Sequence, residues 1–152
     1  MNTYIKLPKK NLYIIASVCF LLVLFISLET TIRVKDIQLF EDFLVENKDL
    51  VDEGMTQDTA YSNYLILNLS KFFFKIVAPI FLSIHIYFTY KYLRMSPLFI
   101  FMWIITLLGS LSYIVLEGEF YSVFYYMDIF LYIVLIINIL SLNGVLNKSK
   151  EE

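Results

Sequence analysis

The stretch from Phe72 to Lys91, FFFKIVAPIFLSIHIYFTYK, constrains this chain more than any other. About 20 helical residues reach roughly 30 Å, the thickness of bilayer hydrocarbon, so the run is long enough to cross a membrane. It nevertheless carries Lys75, Pro79 and His85. A lysine, a proline and a histidine persist at that depth only where protein, water or the interface satisfies them. This helix is therefore expected to face other helices and not lipid alone.

Three further apolar runs, 12–28, 97–116 and 121–142, are long enough to span, and 59% of the chain is hydrophobic. The expected class is all-α, a single membrane domain over 1–152 built as a four-helix bundle, its spans at about 12–28, 72–91, 97–116 and 121–142. Lys6, Lys9 and Lys10 precede the first run, which has the length of a signal-peptide core. No small-x-small cleavage pattern follows it, and Val18 stands before Cys19 where a lipoprotein signal needs a small residue. A retained helix is expected. Cys19, the single cysteine, has no second thiol for an intramolecular disulfide.

Between the first two spans the composition reverses. Residues 29–58 hold nine acidic side chains against Arg33, Lys35 and Lys48, a local net charge of −6. This segment, taken to residue 60, is expected outside the hydrocarbon. Within it Asp36 can cap an amphipathic helix with Ile37, Phe40, Leu44 and Val51 on one face and Asp42, Glu46, Asp49 and Glu53 on the other, closed by Gly54. Such a helix either shields the outer end of the bundle or receives a basic partner. An acidic face is wrong for anionic lipid.

From Tyr61 the series Tyr64, Asn68, Lys71, Lys75, Ala78, Leu82, His85, Thr89 advances by threes and fours, so the second long helix starts near Ala60 and keeps one polar or small face. Pro79 cannot donate to the carbonyl of Lys75 and is expected to kink the helix there, leaving that carbonyl in need of a donor. Ser96-Pro97 opens the third span, where Thr106, Gly109, Ser110 and Ser112 permit close helix approach. In the fourth, Tyr121, Tyr125, Asp128 and Tyr132 share a face, and Asn143-Gly144 is expected to end it. Lys75 and Asp128 fall at similar depth, as an ion pair or shared polar cluster, as two snorkelling side chains, or on an ion or proton path.

The chain's net charge of −2 offers no field for nucleic acid. His85 has no second imidazole or cysteine pair at ligand spacing, so no metal or other cofactor is expected. An intramembrane aspartic peptidase or a thiol oxidase needs paired carboxylates or thiols; the spans as read contain only Asp128 and Cys19, and no enzyme is expected.

Ala78-Pro79, an apolar run, and Thr89-Tyr90-Lys91 at the cytoplasmic end resemble, in spacing, the immunity proteins for pore-forming colicins of the A, B and N type. Ser96-Pro97 and Glu119-Phe120, which resembles a Glu-Leu step, support the likeness over roughly residues 61–120. In that family a Lys-Thr pair abuts Ala-Pro, whereas here Ile76 and Val77 separate Lys75 from it. The resemblance implies a non-enzymatic inner-membrane protein that recognises the helical pore-forming domain of a colicin-type bacteriocin within the lipid bilayer and blocks channel opening. It and the buried polar groups nominate Lys75, Ala78, Pro79, Thr89, Tyr90, Lys91, Glu119 and Asp128 as partner-binding residues. The competing expectation is a small transporter or channel subunit, or a structural accessory of a membrane complex.

Basic residues gather at the N-terminus, at Lys91–Arg94 and at Lys148–Lys150, while 29–58 and 117–119 are acidic, which predicts cytoplasmic termini by the bias of lysine and arginine toward that side. Reporter fusions after Glu53 and at Glu152 should report opposite sides of the membrane. The same side for both would overturn this orientation.

Overall fold

The computed structural model describes residues 6–48 and 56–151. Five helices account for its regular structure: α1 (Lys9–Lys35), α2 (Ile37–Glu46), α3 (Gln57–Lys91), α4 (Pro97–Glu117) and α5 (Val123–Glu151). Four of them, α1, α3, α4 and α5, are long and apolar enough to cross a membrane. Large apolar side chains such as Phe20, Phe74, Phe81, Phe101 and Phe130 point outward from these four. In water that surface would aggregate; in a bilayer it is the expected lipid face. These are the features of a multi-pass membrane protein.

The four long helices form a ring in which α1 packs on α3 and α5, and α4 packs on α5 and α3. Short connections at 92–96 and 118–122 make α3, α4 and α5 antiparallel neighbours. The ammonium of Lys6 lies over the Tyr90 ring, 5.6 Å from its centroid, so the start of the chain sits beside the end of α3. Ile15, Val18, Cys19, Leu22 and Ile26 of α1 meet Leu82, Ile86, Leu107, Leu135 and Ile139 in the core.

Local signals account for the helix ends. The Asp36 carboxylate accepts from the amides of Gln38 and Leu39, and Ser96 and Thr56 cap α4 and α3 the same way. Pro97 occupies the first turn of α4, and Gly118 ends it at φ 68°, a left-handed conformation that glycine adopts without a Cβ penalty.

Several boundaries differ from the sequence reading. Helix α1 continues past Leu28 to Lys35, because Glu29 is 3% exposed and ion-paired inside the bundle. Residues 29–35 thus belong to a spanning helix and not to a separate acidic segment. Helix α5 runs through Asn143-Gly144 to Glu151, Leu146 packing in the core beyond the expected stop. Asp36 does cap α2, and the rings of Phe40 and Phe43 lie tilted against Tyr64 at 5.5 Å, but Ile37 is 72% exposed and Phe43 takes the inward place expected of it. Val51, Asp49, Glu53 and Gly54 lie outside the described residues. Gly109 on α4 faces open space, with no neighbouring atom within 4 Å of where a Cβ would stand, so it serves no helix approach inside the bundle.

Pro79 interrupts the hydrogen-bond ladder but not the helix, which is continuous from Gln57 to Lys91. The orphaned Lys75 carbonyl receives the hydroxyl of Tyr132 at 2.9 Å, and Tyr132 is completely buried. A phenol on α5 thereby replaces the missing amide on α3. Tyr132→Phe should destabilise the protein by about 1–2 kcal/mol. Adding Pro79→Ala, which restores an amide opposite Lys75, should recover part of that loss. Thermal retention of monodisperse protein in detergent reads both. No recovery in the double variant would show that the tyrosine acts through packing alone.

Candidate functional site

The polar centre of the molecule lies at the end of the bundle where α1 and α4 finish. Glu29 and Arg33 stand one turn apart on α1, Lys71 and Lys75 one turn apart on α3, so each pair presents two charges on one face. Glu117 closes α4, and Gly118 reverses the chain to bring Glu119 back over the same end.

Lys75 is the hub. Its ammonium lies 2.7 Å from Glu117 Oε2 and 3.3 Å from Glu29 Oε2, and all three side chains are at most 7% exposed. Lys71 reaches Glu117 at 3.3 Å and Glu119 at 3.8 Å. Arg33 joins Glu29 at 3.4 Å and also contacts Glu119. Three cations therefore neutralise three carboxylates in one connected network, the arrangement buried charge requires. Glu117 sits at a helix C-terminus, where the macrodipole disfavours an anion, and the two lysines offset that.

Hydroxyl groups tie the network to its surroundings. Ser122 donates to Glu29 Oε1 at 3.2 Å, joining the start of α5 to α1. Tyr64 donates to the Arg33 carbonyl at 2.7 Å, which also accepts the Asp36 amide at 3.1 Å, and so adds a second donor at the C-terminus of α1.

Asp128 does not pair with Lys75. It lies one turn inside α5, completely buried, within electrostatic reach of Glu29, Lys75 and Glu117 but without a hydrogen bond to either oxygen. No direct ion pair joins the two, because the extended α1 brings Glu29 to the ammonium; Asp128 belongs to the same polar cluster through its electrostatic reach. Nor is Asp128 the sole buried carboxylate, since Glu29 and Glu117 join it; both of these are held on Lys75. Tyr121 is fully exposed, and the Tyr132 hydroxyl serves the Lys75 carbonyl and not Asp128.

The nominated residues thus divide into two groups. Lys75, Glu119 and Asp128 gather at this end, and Ala78 and Pro79 are buried just beneath. Thr89, Tyr90 and Lys91 lie some 14 residues along α3, roughly 21 Å away at 1.5 Å per residue. Thr89 is buried and donates to the His85 carbonyl at 2.8 Å, Tyr90 is half-buried under Lys6, and Lys91 is exposed between the rings of Tyr87 and Tyr92. His85 accepts from Trp103 Nε1 at 3.1 Å through Nδ1 and meets Phe99 edge-on at 4.9 Å. Among the described residues no three His, Cys, Asp or Glu side chains form a set that could hold a metal ion.

Glu29, Arg33 and Glu117 were not nominated from the sequence. Their signal was the spacing itself: Glu29 and Arg33, like Lys71 and Lys75, are separated by one helical turn. Comparison with known protein families, curated proteins and solved structures finds no match for this chain.

Lys75→Met leaves two buried carboxylates without their shared cation and should cost about 3–5 kcal/mol of stability. A double-mutant cycle should couple Lys75 to Glu117 by more than about 1 kcal/mol, and more strongly than to Asp128. Equal coupling to both carboxylates would remove the distinction between partner and neighbour.

Proposed function

We propose that this protein is an immunity protein of the pore-forming bacteriocin type, which protects a bacterial cell by binding the toxin's helical pore-forming domain in the inner membrane and blocking channel opening. The observation that carries the reading is the spacing from Ala78-Pro79 to Thr89-Tyr90-Lys91 on the second of four long apolar helices. In this orientation both termini are cytoplasmic, and α2 and the Glu119 turn lie on the outer side.

The interior supports a binding role over conduction. The charges meet in a balanced network at one end, and below it the core is lined by Ile15, Leu22, Leu82, Ile86, Leu107, Leu135 and Ile139, a poor path for ions or polar solutes. Of the nominated residues, Ala78, Pro79 and Thr89 are committed to internal packing. Their role in this reading is to shape α3, while its outward face, with Phe74, Val77 and Phe81, meets the toxin. Gly109 on α4 offers a place where a foreign helix approaches closely. The acidic residues Asp42 and Glu46, exposed on α2, complement basic toxin segments that remain at the surface.

Cells expressing the protein should survive one pore-forming toxin, or a close group, from a panel delivered after bypass of outer-membrane uptake. Exchange of the pore-forming domain between toxins should transfer sensitivity, whereas exchange of the receptor-binding domain should leave protection unchanged. Loss of protection on bypass, or failure against the whole panel, would refute the proposal, and solute flux through the purified protein in liposomes would replace it with a transporter.

A further inference from the structure

At the end of the bundle opposite the charge network, α3 and α4 are joined by the 92–96 connection and by the His85–Trp103 hydrogen bond. They touch least of the four neighbouring pairs, and a groove of about 570 Å³ opens between them on the outer surface. Its walls are Phe81, Ile84, Phe88 and Trp103, with His85 at the junction to a second hollow that Arg94 borders. The groove thus runs from apolar rings at membrane depth to a guanidinium at the helix end.

Two polar groups on this path lack partners. Arg94 is exposed and makes no ion pair among the described residues, unlike Arg33 at the other end. His85 accepts the Trp103 indole hydrogen on Nδ1, which places the imidazole's own hydrogen on Nε2. No described residue accepts from that nitrogen. His85 and Arg94 line the same second hollow, so one bound molecule can reach both. Lys6, Lys9, Lys10 and Lys91 gather at the same end.

We infer that this groove binds one anionic glycerophospholipid, its phosphate on Arg94, an ester carbonyl on His85 Nε2–H and an acyl chain along Phe81, Ile84 and Phe88. A basic residue at the mouth of a gap between membrane helices suits an anionic head group, and the aromatic walls suit the chain. The site shares Phe81 with the outward face proposed to meet the toxin, but its head-group end, at His85 and Arg94, lies outside that face.

Trp103 is the only tryptophan in the chain and lines the groove, so it reports occupancy directly. The full-length protein is reconstituted in phosphatidylcholine vesicles containing increasing fractions of brominated phosphatidylglycerol or brominated phosphatidylcholine, whose bromines quench indole on contact. Phosphatidylglycerol should half-quench Trp103 at about one-fifth the mole fraction needed for phosphatidylcholine. Arg94→Gln should abolish that preference. Arg94→Lys should keep most of it, and Lys9→Gln, at the same end but on α1, should leave it intact. Equal quenching by the two lipids in the unsubstituted protein would overturn the inference, as would a preference that survives Arg94→Gln. Equal losses in Lys9→Gln and Arg94→Gln would replace the site with a diffuse basic collar, and quenching by neither lipid would assign the groove to a second copy or a partner helix.

Discussion

The ammonium of Lys75, held between Glu29 and Glu117, is the interaction on which the remaining arrangement depends. It sits on the face of α3 that meets α1, α4 and α5, and it joins carboxylates from two of them. A buried cation is tolerable only when its charge is matched and its donors are used. Matching it fixes the rotation of α1 and the level at which α4 must stop. Lys71 and Arg33 then complete the neutralisation one turn further out.

The bundle consequently has two unlike ends. One is closed by a cross-linked charge network whose members are used up in contacting each other. The other carries basic side chains without ion pairs among the described residues, and a groove between its two least-packed helices. Between them the core is apolar, and the polar side chains on the long helices mostly bond their own backbone, as Ser27, Thr30, Thr106, Ser110 and Asn138 do with carbonyls four residues back. Specific recognition of another helix would therefore fall to shape on the lipid-facing surfaces more than to charge within the membrane.

The four spans were legible because hydropathy and length are strong, local signals, and so were the cap at Asp36, the opening of α4 at Ser96-Pro97 and the need of the Lys75 carbonyl for a donor. Which donor it would be was not legible. Tyr132 was assigned to the right face, but face alone does not say whether a phenol reaches a carboxylate or a carbonyl on another helix. The end of α1 was misjudged for a related reason. Glu29 marks a stop when charge is read along one helix, yet it is an interior residue once Lys75 is opposite it, and that proximity is a tertiary fact. Asn143-Gly144 similarly looks like a terminus, but the packing of Leu142 and Leu146 carries α5 beyond it.

The bond from Tyr132 to the Lys75 carbonyl also bears on how the protein is made. Tyr132 lies on α5, which leaves the ribosome after α3, so α3 enters the membrane with a polar carbonyl exposed at its proline and with no internal means of covering it. The first three long helices can be threaded, but their central joint stays open until α5 arrives. A chain cut short before residue 132 would contain every charged member of the Lys75 network and still lack the group that seals α3. Such a product carries an unfinished polar seam within the lipid, where no water is present to satisfy it.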